Sequence, residues 1–132
     1  MAFQCVVVTP EQQVLDESCS QVVLPAFDGE IGILTDRAPL LAKLGVGVMR
    51  IDTQGGQKRS YFIDGGIAQM KDNKLTVLTT EAQPPAEIDM DSARAEYNEA
   101  VAKPITDDKS FQERQRALQR GRVKQELASK RH

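Results

Sequence analysis

Five cations lie close together near the end of the chain, and they are the most concentrated chemical feature of the sequence. They are Arg114, Arg116, Arg120, Arg122 and Lys124. Guanidinium and ammonium groups bind carboxylates and phosphates. A solvated helix face is the commoner interpretation of such a run.

The residue types that catalysis and metal binding require are scarce. His132 is the only histidine and the last residue, and a chain terminus does not hold an imidazole beside a nucleophile. Two cysteines and one histidine are too few ligands for a zinc site. The carboxylates are scattered and form no acid–base pair. The sequence therefore predicts a protein that is not an enzyme, with no catalytic residue and no metal site.

The two cysteines, Cys5 and Cys19, both fall in apparent strands. Cys5 lies in a run of apolar residues that resembles a buried strand. We therefore expect two reduced cysteines that act as small hydrophobic residues, in preference to a disulfide.

The bulk composition restricts the class of partner. The chain has 132 residues, which suits one domain with an appendage, and its net charge is −2. The aromatic fraction is 5% and there is no Trp, so neither charge nor stacking favours nucleic acid. The first ten residues lack a basic segment, and no apolar window approaches about 18 residues. We expect neither a targeting signal nor a membrane span.

The elements that must position these groups change type near Pro84-Pro85. Before it, short β-branched runs alternate with turn signals such as Gly55-Gly56, Gly65-Gly66 and Asp72-Asn73. This pattern predicts a β-sandwich or a flattened barrel. The two prolines lack ladder donors and mark the boundary between residues 1–84 and residues 85–132.

Beyond the prolines the apolar period becomes helical. The core face predicted for the first helix comprises Met90, Ala93, Tyr97, Ala100 and Val101. Either Asp89 or Asp91 can cap its start, and Pro104 ends it. Either Asp107 or Asp108 can cap a second helix that we expect to reach about Lys130. Gly121, in the middle of this helix, costs about 1 kcal/mol relative to Ala.

Charge is segregated between the two predicted helices. Residues 86–108 carry two basic and seven acidic residues, whereas residues 109–132 carry eight basic and two acidic residues. The helices can therefore attract each other as a hairpin. Exposed ion pairs are individually weak and screened by salt, so a more acidic partner could open the hairpin.

Three blocks of the chain, in order and at the right spacing, resemble the epsilon subunit family of F-type ATP synthases, whose mitochondrial equivalent is the delta subunit. They are VVTPEQQVLD, GEIGILTDRAPLLAKLGVGVMRI and YFIDGGIAQMKDNKLTVLTTEA, and MDSARAEYNEA resembles the start of the family's first C-terminal helix. The resemblance implies a sandwich of about ten strands in two sheets, followed by a helical hairpin. It also implies a non-catalytic rotor subunit that couples c-ring rotation to ATP synthesis.

The resemblance implies a set of partners. The β-sandwich binds the gamma subunit along one side and the c-ring below, and the c-ring contact matches Asp28, Gly29, Glu30 and Ile31. Ile33 and Leu34 are expected to return to the core. The chain would lie at the cytoplasmic face of an energy-transducing membrane and reach that membrane only through the complex.

The resemblance also implies regulation by the hairpin. When extended toward the alpha/beta hexamer, the family's helices inhibit ATP hydrolysis through basic residues that face an acidic beta-subunit helix. The five cations between Arg114 and Lys124 match that role. No cofactor is required. Some family members bind ATP through a motif that Met90, Asp91, Arg94 and Ala95 fit, and an N-cap with an intrahelical ion pair is the alternative interpretation.

Two other functions are compatible with the residues. One is a free-standing β-sandwich adaptor whose hairpin binds another acidic helix. The other is a nucleotide sensor that uses the hairpin to bind ATP. Association with a gamma-like coiled coil would separate the rotor subunit from the adaptor.

Overall fold

Seven strands form one sheet in the first part of the chain. The computed structural model describes residues 2–27 and 29–129. The strands are β1 (Phe3–Val8), β2 (Gln13–Ala26), β3 (Gly29–Leu34), β4 (Leu40–Thr53), β5 (Lys58–Lys71), β6 (Lys74–Leu78) and β7 (Ala82–Gln83). The main order is β1-β6-β5-β4-β2-β3, and an additional β1–β2 pairing closes five strands into a ring. The β1–β6 pair is parallel, whereas β1 pairs with β2 in the antiparallel sense.

The expectation of about ten strands in two sheets is not confirmed: the described residues form seven strands in one sheet. The reason is that β2, β4 and β5 are each 14 residues long and continue through positions that resemble strand ends in the sequence. The register of β2 against β4 shifts twice, between Cys19 and Gln21 and between Val23 and Ala26. Such irregularities bend a strand without ending it. The coarser prediction, a β-rich domain followed by two helices, is confirmed.

The pair Gly65-Gly66 shows how a turn signal can lie inside a strand. Both residues belong to β5 and have positive φ angles, 72° and 118°. A Cβ atom on Gly66 would lie 2.0 Å from the carbonyl oxygen of Leu78. The pair therefore allows β5 to bend against β6 and is not a hairpin turn.

Two predicted hairpin turns are confirmed. QGGQ connects β4 to β5, with φ of 89° at Gly56, and KDNK connects β5 to β6. Asp72 and Asn73 have φ angles of 52° and 58°, and positive φ at both central residues is characteristic of the type I′ turn. The β2–β3 turn is equally short, since Ala26 pairs with Gly29.

The core lies inside the closed sheet and draws on every long strand. Its fully buried side chains include Val7, Leu24, Ile33, Met49, Ile63, Leu75 and Val77. Cys5 and Cys19 belong to this cluster, and both are free and buried, as predicted. Hydrogen bonding with Cys19 and burial both raise the pKa of the Cys5 thiol, which therefore stays protonated at neutral pH.

The chain divides into two compact units between Ala82 and Gln83, two residues before the predicted boundary. In the second unit a 3-10 turn (Pro85–Glu87) precedes α1 (Met90–Ala102) and α2 (Asp108–Ser129). The predicted helix end at Lys130 lies outside the described residues. Asp89 caps α1 by accepting from the Asp91 amide at 3.1 Å.

The start of α2 and the core face of α1 fit the sequence predictions in most respects. Asp107 precedes α2 and accepts from the Ser110 amide at 2.7 Å, and hydrogen bonds from that amide and the Ser110 hydroxyl lower the pKa of Asp107. Ala93 and Ala100 are buried as predicted. Val101 is 48% exposed, so its placement on the core face was wrong.

Replacing Gly66 by Ala should destabilise the β domain by at least about 2 kcal/mol, because the new Cβ meets the Leu78 carbonyl and φ is positive. Urea unfolding measures this loss. Gly32→Ala is the matched control, since no atom lies within 4 Å of its Cβ position and its φ is not positive. Equal stability of the two variants would contradict the packing described for β5 against β6.

Candidate functional site

The turn between β2 and β3 presents two of the four residues predicted to contact a partner. Gly29 is exposed, with a φ of 140°, and the Glu30 side chain is 58% exposed. Ile31 is half-buried and packs against the core, and Asp28 lies outside the described residues. Among the described members of these four residues, the exposed charged group is therefore the carboxylate of Glu30.

Arg50, which the sequence did not indicate, holds that carboxylate. Its Nη2 donates to Glu30 Oε2 at 2.9 Å, and both side chains are about half exposed. The pairing joins β4 to β3 across the intervening β2. At this exposure the ion pair contributes little stability but limits where the carboxylate points.

The two residues predicted to return to the core after this turn behave differently. Ile33 is fully buried, as predicted, whereas Leu34 is 56% exposed and its predicted burial was wrong. Successive strand residues point to opposite faces of a sheet, so both cannot enter the same core. Leu34 lies at the end of β3, where it pairs with Gln21.

Three exposed apolar side chains and one lysine form a continuous row across the sheet, which we call the apolar stripe: Phe27, Lys43, Ile67 and Leu78. The Phe27 amide donates to the Lys43 carbonyl at 2.9 Å, Lys43 pairs with Ile67, and Ile67 pairs with Leu78. The apolar members are 71%, 48% and 51% exposed. Cross-strand partners share one face of the sheet, so these side chains are neighbours.

The apolar stripe has two further features. Lys43 Nζ lies 4.7 Å from the centroid of the Phe27 ring, a cation–π contact that orients the exposed ring. At the other end, an apolar groove of about 370 Å³ borders Leu78 and is lined also by Val8, Pro10 and Gly66. Contiguous exposed apolar surface of this kind marks interaction sites on soluble domains. Sequence reasoning missed it because the strand register was unknown.

The five candidate cations on α2 do not share one environment. Arg116 and Arg122 are exposed, and Arg114 Nη2 donates to the Val101 carbonyl at 3.4 Å. Arg120 and Lys124 turn toward α1. In the closed hairpin the five cations therefore do not form one uniform basic face.

Arg120 and Lys124 share a single carboxylate on α1. Arg120 Nε lies 2.8 Å from Glu96 Oε1, and Lys124 Nζ lies 3.3 Å from Glu96 Oε2. The three side chains are 21%, 12% and 30% exposed. Burial lowers the pKa of the Arg120 guanidinium, which remains charged because an arginine starts from a very high value. Helix pairing, which the sequence predicted only in outline, identifies Glu96 as an acidic partner of both cations.

The helices approach closely at Gly121. A Cβ atom there would lie 2.8 Å from Tyr97 Cβ and 3.0 Å from the Tyr97 amide nitrogen. Gly121 lowers the stability of α2 as an isolated helix, but its lack of a side chain allows α1 to approach α2 closely. Leu118, Leu127 and Ala128 are also buried on α2.

The predicted nucleotide motif lies at the exposed start of α1. The Asp91 and Arg94 side chains are 91% and 63% exposed, and Asp91 Oδ1 lies 3.9 Å from Arg94 Nη1. Ala95 is exposed and Met90 is half-buried. This arrangement includes the intrahelical pair of the alternative interpretation, with Asp89 as the cap. ATP binding stays a prediction.

The described part of the chain contains no cluster of three metal-ligating side chains. None of its helices is both long enough and apolar enough to cross a membrane. The exposed turn, the apolar stripe and the cations of α2 are binding features and carry no nucleophile or acid–base pair. The exposed turn, the apolar stripe and the cations are surfaces of the kind by which proteins bind partners.

Comparison with known proteins identifies its family. Residues 2–85 match the family described as ATP synthase, Delta/Epsilon chain, beta-sandwich domain. The ATP synthase epsilon chain of Rhodopirellula baltica is 43% identical over 92% of this chain and 94% of its own length. The sodium ion specific epsilon chain of Propionigenium modestum is 33% identical over 96% and 93%. The chain belongs to the ATP synthase delta/epsilon family.

A solved assembly agrees with this assignment. A chain in the cryo-EM structure of Euglena gracilis mitochondrial ATP synthase, described as OSCP/F1/c-ring, superposes with a TM-score of 0.79 at 25% identity. The match covers 90% of this chain and 76% of that chain. Its extent shows that the helices as well as the β domain have counterparts in that protein.

Replacing Gly121 by Ala should weaken the hairpin. Overpacking against Tyr97 costs about 1–3 kcal/mol, whereas the higher helix propensity of Ala returns only about 1 kcal/mol. Amide hydrogen exchange of α1 measures the result, and faster exchange is expected. Gln115→Ala, at an exposed position of α2, is the control and should not speed exchange. Unchanged protection in Gly121→Ala would contradict the close helix contact.

Proposed function

We propose that this protein is the non-catalytic epsilon-type subunit of the central stalk of an F-type ATP synthase. It couples c-ring rotation to ATP synthesis through the gamma subunit. The observation that carries the proposal is the 43% identity to an epsilon chain over nearly the whole of both chains. The subunit associates peripherally with the energy-transducing membrane through the complex, at its cytoplasmic face.

The β domain is the coupling element of this proposal. Its closed sheet surrounds one densely packed core, and such interiors resist compression and so transmit torque. We assign the c-ring contact to the β2–β3 turn, with Gly29 and Glu30 exposed and Asp28 beside them in the sequence. Arg50 supports the assignment because it fixes the Glu30 carboxylate.

The apolar stripe suits the gamma contact. Gamma association requires a surface that stays bound under rotation, and apolar burial supplies that kind of affinity better than rim charges do. Phe27, Ile67 and Leu78 together offer such a surface, extended by the groove beside Leu78.

The helical unit is the regulatory element of the proposal. The cations from Arg114 to Lys124 bind an acidic beta-subunit segment in the alpha/beta hexamer and inhibit ATP hydrolysis. Their number supports this role, since eight of the ten charged residues from 109 to 132 in the sequence are basic. Regulatory ATP at Met90, Asp91, Arg94 and Ala95 rests on the sequence motif alone.

Hydrolysis by the assembled F1 sector tests the regulatory role. We expect a chain that ends at Gln83 to assemble normally and to give faster ATP hydrolysis than the full chain, because it lacks the inhibitory helices. Equal rates with both chains would remove the inhibitory role and leave a coupling subunit. Failure of both chains to assemble would favour the adaptor or the nucleotide sensor.

The stripe predicts a loss of gamma binding on polar substitution. Ile67→Ser combined with Leu78→Ser should raise the Kd for gamma roughly 100-fold, since each lost side chain is worth about 1.5 kcal/mol or more. Surface plasmon resonance with purified gamma measures the change. Leu34→Ser is the matched control, because Leu34 is 56% exposed and lies outside the stripe. Comparable losses in the control would remove the stripe from the gamma contact.

A further inference from the structure

Both carboxylate oxygens of Glu96 accept hydrogen bonds from cations of the facing helix. Oε1 accepts from Arg120 Nε at 2.8 Å, and Oε2 accepts from Lys124 Nζ at 3.3 Å. Arg120 and Lys124 are four residues apart, so they lie on the same side of α2, one turn from each other. Together they form a receptor for one carboxylate.

The side chains of this receptor are less exposed than those of an ordinary surface ion pair. The Arg120 and Lys124 side chains are 21% and 12% exposed, whereas those of the Asp91–Arg94 pair are 63% or more exposed. A partly buried cation that loses its partner is left poorly solvated, which exposed cations avoid. Opening the hairpin therefore requires that a new carboxylate or water replace Glu96.

The α2 cations thus fall into two classes by accessibility. Arg116 and Arg122 are exposed in the closed hairpin and can attract an acidic surface at a distance. Arg120 and Lys124 are engaged by Glu96 and are accessible only after α2 leaves α1. A partner that binds all four must displace Glu96.

We propose that Glu96 is an internal competitor for the carboxylates of an acidic partner helix. In the closed hairpin it fills the receptor formed by Arg120 and Lys124, and an acidic helix binds that receptor only when the hairpin opens. The inference rests on the proposed regulatory function, and it makes Glu96 one determinant of the balance between closed and open hairpins. The two cations of the receptor are thus paired with a carboxylate in both states: with Glu96 in the closed hairpin and with the partner's carboxylate in the open hairpin.

Glu96→Gln tests the closed state, because it removes the charge and preserves the side-chain shape. Spin labels at Asn98 and Ser129 of the full-length chain, both exposed, report the separation of α1 and α2 by electron–electron distances. Cys5 and Cys19 are fully buried and do not compete for the label. We expect the ratio of open to closed hairpin to rise roughly 10-fold. An unchanged distance distribution would overturn the proposal.

Glu99→Gln is the matched control. It removes the same charge from the same helix, at an exposed position one turn away. We expect its distance distribution to match that of the unsubstituted chain. An equal opening in this control would assign the effect to net charge and overturn the specific role of Glu96.

Binding of a synthetic helical peptide rich in glutamate tests the competition without the ATP synthase. Glu96→Gln should lower the Kd for the peptide roughly 10-fold, and adding Arg120→Gln and Lys124→Gln should abolish that gain. A gain that survives the two added substitutions, or opening without a gain, would overturn the proposal. Failure of the proposed function is a separate result, since it shows as equal F1 hydrolysis with the full and truncated chains.

Discussion

The double pairing of β1 is the constraint on which the β domain depends. This six-residue strand is parallel to β6 on one side and antiparallel to β2 on the other, which closes β1, β6, β5, β4 and β2 into a ring with β3 outside it. Closure leaves one interior, filled by side chains from every long strand. It also fixes the surfaces, because the apolar stripe exists only while β4, β5 and β6 keep their register.

Each of the two units is stabilised internally by a different kind of interaction. The β domain relies on a large apolar cluster and on bends that let 14-residue strands close. The helical unit buries few apolar residues, and several of them are small, such as Ala93 and Ala100 beside Leu118. It is also stabilised by the ion pairs of Glu96 and by the close helix contact at Gly121. Polar pairs and close backbone contact stabilise less than a broad apolar core does. The helical unit therefore depends on a few specific contacts, whereas the β domain depends on a broad apolar core.

Several site residues acquire their role only from an intramolecular partner. Glu30 is an exposed acid at a turn in the sequence, but Arg50, 20 residues away, restricts it in space. Arg120 and Lys124 belong to a basic run in the sequence, but Glu96 removes them from that run in the closed hairpin. Residues of the same type therefore lie in different environments. The exposed ones are accessible to a partner, whereas those paired within the chain are less accessible.

The sequence by itself determined the change from strands to helices near Pro84-Pro85 and the QGGQ and KDNK turns, and it restricted each helix cap to two aspartates. These depend on local backbone preferences that span a few residues. It also indicated the family. Tertiary structure alone decided that Gly65-Gly66 bends a strand, that Leu34 faces outward and that Gly121 admits Tyr97. The apolar stripe and the Glu96 receptor likewise join residues that lie far apart in sequence, and only strand register and helix pairing bring them together.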